Sequence, residues 1–170
     1  MRTILYASKY FSFLIGATGE EFVQCGDEVM IVALTADHQV IFTIEPSAAF
    51  GEPVLILPGG QVEPNEPLHE TANRELQEEI GFRAARIDFL GKLRPFSKYL
   101  STESHIFLGR DLTPSPLPGD EQYTIGLERH TLGNVDDLIN AQRLQDARVI
   151  AALCLARHFL AGEQTSSKQS

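Results

Sequence analysis

Residues Gly60–Phe82 read GQVEPNEPLHETANRELQEEIGF, and the rest of the chain is best approached from this stretch. Proline suits the first turn of a helix and glycine the residue just past its end, so Pro67 and Gly81 bracket a predicted helix over 67–80. With Glu75 set at zero and about 100° per residue, Glu79 lies about 40° to one side and Glu78 about 60° to the other. Three carboxylates therefore share one stripe. Ala72, Leu76 and Ile80 form an adjoining apolar stripe that docks the helix on a sheet. Arg74 precedes Glu78 by four residues, the right spacing to hold its carboxylate.

Like charges one helical turn apart repel, so such a stripe makes physical sense when a cation sits on it. Three glutamates alone also fit a solvated helix face. Oxygen donors without histidine or thiol among them suit Mg²⁺ or Mn²⁺ rather than zinc. Pro58-Gly59-Gly60, just before the helix, allows a tight backbone loop whose carbonyl could supply a further ligand. The residues by themselves point to metal-assisted attack by water on a phosphate or diphosphate.

Working outward, Met30–Leu34 and Val40–Ile44 are short β-branched runs separated by Asp37-His38-Gln39, the pattern of a hairpin. Val54–Leu57 is another apolar run. Strands are expected at Arg86–Leu93, His105–Arg110 and Tyr123–Thr131, with a proline-rich loop, Leu112–Asp120, between the last two. Asn134 reads as the N-cap of a short helix, and an amphipathic helix is expected from about Arg143 to Leu160. The N-terminal residues (MRTILYASKYFSFLIG) are split by Lys9 and read as one or more strands rather than a signal peptide. Several strand–strand links are too short for crossovers, which implies a mixed sheet covered by helices. Residues 1–162 are expected to form one domain and 163–170 a disordered tail.

The 170 residues carry 23 acidic and 14 basic side chains, a formal net charge of −9. That balance argues against a nucleic-acid polymer or an anionic membrane as partner, since both recruit a basic face. No apolar run approaches the ~20 residues needed to span a bilayer. Cys25 and Cys154 lack metal-ligand spacing and read as buried or half-buried free thiols of a cytoplasmic protein.

The wider spacing of the opening stretch adds more. Gly60, five residues, Glu66, seven residues and then Arg74-Glu75-Leu76-Gln77-Glu78-Glu79-Ile80-Gly81-Phe82 resembles the complete signature of the Nudix hydrolases. A chance match in a chain of this length is on the order of one in ten million. The resemblance implies an α/β/α sandwich with a mixed sheet, and Mg²⁺- or Mn²⁺-dependent hydrolysis of a nucleoside diphosphate linked to another moiety. It implies Glu75, Glu78 and Glu79 as metal carboxylates, with the Gly59 carbonyl as an extra ligand. Arg74 would orient Glu78, and Glu66 and Gly81 would shape the loops. The chain further resembles the ADP-ribose pyrophosphatases and the bacterial ADP-compounds hydrolases, which act on ADP-ribose, NADH and diadenosine polyphosphates.

In that branch an acid from a late loop serves as base or added ligand. Glu121 or its neighbour Asp120 stands there, with Glu103 and Glu75 as alternatives. Ser97 replaces a proline common in ADP-ribose enzymes, whereas Tyr99 matches a tyrosine associated with diadenosine polyphosphate hydrolases. The hairpin reads Glu45-Pro46-Ser47 where many relatives carry a tyrosine–arginine pair. For the organic half of the substrate, Phe50, Phe96 and Tyr99 offer aromatic faces, and Arg94 and Lys98 offer cations for phosphate. The resemblance is compatible with a homodimer, for which the apolar arm Tyr10–Ile15 supplies a face. Other readings on the same fold are a nucleotide sensor that does not hydrolyse, an isomerase, and hydrolases of sugar nucleotides or oxidised nucleotides.

Overall fold

The computed structural model of the chain describes residues 2–119 and 121–167. Its centre is β4 (Glu28–Leu34), whose residues from Val29 onward are all buried. Such two-sided burial is what an uninterrupted apolar run in a central strand demands. β4 pairs in parallel with β10 (Ser104–Pro114) and antiparallel with β5 (Gln39–Ser47). β10 continues to β8 (Phe82–Leu93), and β5 to β11 (Gly126–Thr131), both antiparallel. The order β11-β5-β4-β10-β8 makes the mixed sheet expected from the short links.

The hairpin of β4 and β5 pairs Leu34 with Val40 and Ala33 with Ile41, after which the two strands part. Into the gap run β6 (Glu52–Ile56), paired with β5, and β7 (Gly59–Gln61), paired with β4. This wedge carries the Pro58-Gly59-Gly60 turn into the sheet. A Cβ on Gly59 would overlap the Val29 carbonyl oxygen, so glycine is needed for so close an approach.

Alternation along the strands sends two apolar sets to opposite faces. Val29, Ile31, Ala33, Ile41 and Phe107 meet Ala72, Leu76 and Ile80 of α1 (Leu68–Glu79). Met30, Val32, Leu34, Val40 and Phe42 meet α2 (Val135–Asn140) and α3 (Ala147–Ser167) on the other side. The result is the helix–sheet–helix sandwich expected. A second, smaller sheet is built from β1 (Thr3–Ala7), β2 (Phe11–Ile15), β3 (Glu21–Cys25) and β9 (Leu100–Ser101). It leaves Ile4, Leu5, Tyr6, Tyr10 and Phe11 exposed.

Several boundaries differ from the sequence reading. α3 begins at Ala147, not near Arg143, because the Asp146 carboxylate accepts the backbone N–H groups of Arg148 (2.8 Å) and Val149 (3.3 Å) and so caps it. Arg143 is drawn instead to Glu128, at 2.8 Å. At its far end α3 runs helical to Ser167, through part of the stretch expected as a tail. Glu163 there ion-pairs with Arg86 and Arg110. Asn134 occupies the N-cap position of α2, yet its side chain makes no capping hydrogen bond; a 3₁₀ turn, Leu132–Asn134, leads into the helix instead. β11 starts at Gly126 because Tyr123 turns away to Glu45. Both cysteines are free, but Cys154 is exposed rather than buried. No helix among the described residues is long and apolar enough to cross a membrane.

Candidate active site

The helix of the opening stretch forms as its punctuation requires. Pro67 precedes α1, and Gly81 follows it with φ +76°, a left-handed conformation that glycine adopts without strain. Buried Leu76 and Ala72 press one stripe to the sheet. The adjoining carboxylates are thereby fixed beside the β6–β7 wedge.

Arg74 organises the acids. Its Nε donates to Glu66 Oε1 at 2.9 Å and its Nη1 to Glu78 Oε2 at 3.0 Å; Nη1 also lies 2.8 Å from Glu75 Oε1. Nη2 donates to the Gln61 carbonyl at 3.2 Å, tying helix to loop. One guanidinium thus spans three carboxylates and a backbone oxygen, a use for which its planar fork is suited. The Glu75 carboxylate lies so close over Gly60 that a Cβ there would overlap it.

Glu79 is placed differently. Its Oε2 accepts the Gly59 N–H at 3.0 Å. Burial, followed by the negative charge of Glu45, pushes its carboxyl up to about 9, with Glu75 and Glu121 adding to the effect and the Gly59 bond opposing it. These hard oxygen donors on one stripe, crowded and incompletely neutralised, fit a divalent cation of the Mg²⁺ or Mn²⁺ type.

The loop after β10 packs on the end of α1. Gln77 Nε2 donates to the Ser115 carbonyl (3.1 Å) and hydroxyl (2.9 Å), and Leu117 N–H donates to the Gln77 carbonyl at 3.0 Å. That anchorage delivers Glu121 to the site, where its charge acts on both Glu79 and Tyr123. Asp120 lies outside the described residues.

The candidate substrate contacts separate from these acids. Phe50, Arg94 and Phe96 line a cavity of about 1210 Å³ together with Ile44, Leu55 and Arg148. Ile44 and Leu55 belong to the α3 side of the sheet, and none of Glu75, Glu78, Glu79 or Glu121 lines this cavity. Phe96 and Tyr99 pack at 5.5 Å between ring centroids, with Lys98 Nζ 5.5 Å from the Tyr99 ring. Glu103 is engaged by Lys92 (2.7 Å) and Arg94 (2.8 Å), which hold its carboxyl down at about 2. It also approaches Asp27 and His105, and the ligand atoms of these three lie within 4.8 Å of one another.

Two residues near Glu79 carried no expectation from sequence. Glu45 was visible only as a departure from a hairpin pattern, and Tyr123 as a strand residue. The signal for Glu45 was its parity: a charged residue in step with the inward-facing Ile41 and Thr43.

Comparison with known proteins agrees with this geometry. The NUDIX domain model matches residues 26–153. The ADP compounds hydrolase NudE of Escherichia coli (strain K12) is 35% identical over 137 residues, spanning 81% of this chain and 73% of that protein. The ADP-ribose pyrophosphatase of Bacillus subtilis (strain 168) is 23% identical over 139 residues, 81% of this chain and 75% of that one. A crystal structure of an ADP compounds hydrolase superposes with a TM-score of 0.82 at 31% identity, covering 96% of this chain and 93% of the other. With the signature helix, the mixed sheet and these relatives in agreement, the chain belongs to the Nudix hydrolase family.

Proposed function

We propose that the protein hydrolyses the diphosphate bond of ADP-ribose or related ADP compounds, NADH and diadenosine polyphosphates among them, and releases AMP. The observation that carries this reading is the acid stripe of α1, ordered by Arg74 and closed against Gly59 by Glu79. Similarity to an ADP compounds hydrolase over most of the chain supports the choice of substrate class.

Glu75, Glu78 and Glu79, with the Gly59 carbonyl, would hold the divalent cation. When bound, Mg²⁺ or Mn²⁺ supplies charge that polarises phosphoryl oxygens, lowers the pKa of water and neutralises the leaving phosphate. Arg74 orients Glu75 and Glu78 so that the acids present their oxygens before substrate arrives. Glu121, brought in by the anchored loop, accepts the proton of the attacking water, with Glu75 as the alternative base. Water attacks one phosphorus in line, and for ADP-ribose the products are AMP and ribose 5-phosphate.

Phe50, Phe96 and Tyr99 stand as proposed contacts to the organic half of the substrate and Arg94 and Lys98 to its phosphates, with Glu103 as a further substrate-binding residue or base, although the cavity of Phe50, Arg94 and Phe96 is lined by none of the α1 acids. Alanine variants of those residues raise KM more than they lower kcat if this assignment holds. The exposed apolar face of the small N-terminal sheet suits a homodimer, which light scattering of the purified protein tests. A reducing, cytoplasmic setting agrees with two free cysteines.

The deciding experiment is kcat/KM across ADP-ribose, NADH, diadenosine polyphosphates, a sugar nucleotide and an oxidised nucleotide, with Mg²⁺ and Mn²⁺ compared. ADP compounds should lead the series. A clear preference for a sugar nucleotide would reject the substrate class, and tight binding without product would reject the enzyme.

A further inference from the structure

The side of α1 turned away from its acids carries two buried amides. At about 100° per residue, Asn73 and Gln77 lie about 160° from Glu75, to either side, and they are 7% and 8% exposed. A buried amide has to find partners, and the two find different ones. Asn73 pairs with a strand: its Nδ2 donates to the Ala84 carbonyl at 3.3 Å, and its Oδ1 accepts the Ala84 N–H at 2.9 Å. That is the work of a residue that docks a helix on a sheet. Gln77 reaches a loop instead, donating from Nε2 to both the carbonyl and the hydroxyl of Ser115.

The same loop then crosses the C-terminal end of α1. Ser115 N–H donates to the Gly81 carbonyl at 2.9 Å, and Leu117 N–H to the Gln77 carbonyl at 3.0 Å. The last carbonyls of a helix lack partners within it, and here the loop supplies one. A Cβ at Gly119 would lie 3.5 Å from the Glu78 carbonyl oxygen, so the chain still touches the helix there. Further on, Tyr123 OH donates to Glu45 of β5 at 2.9 Å. The loop is therefore fastened at Ser115 and Leu117 on one side of Glu121 and at Tyr123 on the other. The first fastening is made by α1 itself, the helix that also presents Glu75, Glu78 and Glu79. One element sets both the acids and the loop.

We infer that Gln77 is a positioning residue for the proposed reaction: through Ser115 it fixes the loop that carries Glu121 relative to the acids of α1. The inference rests on the reading of Glu121 as the base. It gives a task to a residue of the signature helix that belongs to neither the acid stripe nor the apolar one.

The test is a double-mutant cycle on ADP-ribose hydrolysis by the full-length protein at saturating Mg²⁺. It compares wild type, Gln77→Met, Glu121→Gln and the variant carrying both substitutions. Methionine keeps the length of the side chain and removes its donor. Gln77→Met is expected to lower kcat about tenfold and to leave KM within about twofold, because a displaced base is felt in the chemical step. In the Glu121→Gln background the same substitution is expected to change kcat by less than about twofold, since the group it positions is gone. A merely structural role would lower kcat equally in both backgrounds, and that result overturns the inference. So does wild-type kcat in Gln77→Met. In either case a low kcat in Glu121→Gln leaves the base assignment standing. Near-normal turnover in Glu121→Gln removes the base itself, and the inference with it. Ser115→Ala loses only the hydroxyl and runs the same cycle if Gln77→Met does not fold. Its expected loss in kcat is about threefold, and an unchanged kcat there overturns the inference.

Discussion

Two acid-rich regions of this molecule treat their carboxylates in opposite ways. Where α3 crosses β8 and β10, Glu163 and Asp88 are paired with Arg86 and Arg110, and Arg110 also lies over the Phe159 ring. There the Glu163 carboxyl is held at about 2, by hydrogen bonds from Arg110 above all. On the other face of the sheet, Glu75 and Glu78 of α1 share the single Arg74 with Glu66, and Glu79, outside its reach, is pushed up to about 9. The first region is complete as folded and serves to fasten a helix. The second is left short of positive charge, the imbalance that the proposed cation would offset.

Breaking the second region should cost activity first. Glu79→Gln is expected to lower kcat by roughly a hundredfold or more, as loss of a metal carboxylate does. Its melting temperature in chelator should be no lower than that of wild type, because the neutral amide resembles the protonated acid. Chelation with EDTA should abolish turnover of wild type, with recovery on adding Mg²⁺ or Mn²⁺. Glu121→Gln should lower kcat by about 10²-fold with little change in KM if Glu121 is the base; near-normal turnover would pass that role to Glu75.

Arg74→Ala releases several carboxylates at once and should lower both stability and kcat, costing about 1–3 kcal/mol for the charge-assisted bonds. Differential scanning calorimetry and steady-state kinetics on one preparation would separate the two effects.

The smallest effect is expected in the fastened region. The folded pKa of Glu163 lies below its ordinary value of 4.5. Its contribution is therefore present above pH 4.5 and is lost as pH falls toward about 2. Glu163→Gln should melt about 1–3 °C below wild type near pH 6, and the gap should close in acid. A gap that persists at low pH would assign the effect to packing rather than charge.

The sequence and the structure agree most closely where a local pattern suffices. The α1 helix, its proline and glycine boundaries and the reach of Arg74 to Glu78 all follow from spacing along a few turns. The β4–β5 hairpin follows from two β-branched runs around a polar turn. What escaped was non-local. The contact of Tyr123 with Glu45 joins residues 78 positions apart, and no periodicity in either segment announces it. The placement of Phe50 and Phe96 on the α3 side, away from the signature acids, depends on how β5 peels from β4 to admit β6 and β7. The start of α3 was missed for a local reason: Asp146 is a good N-cap, but the apolar spacing of Leu144 with later residues drew the expected boundary four residues too early.

The most direct test of the account is AMP release from ADP-ribose with saturating Mg²⁺, measured for wild type and Glu79→Gln at equal protein concentration. The account predicts AMP and ribose 5-phosphate in equal amounts from wild type and almost none from the variant. Comparable product from both would contradict the assignment of the α1 carboxylates as the working site.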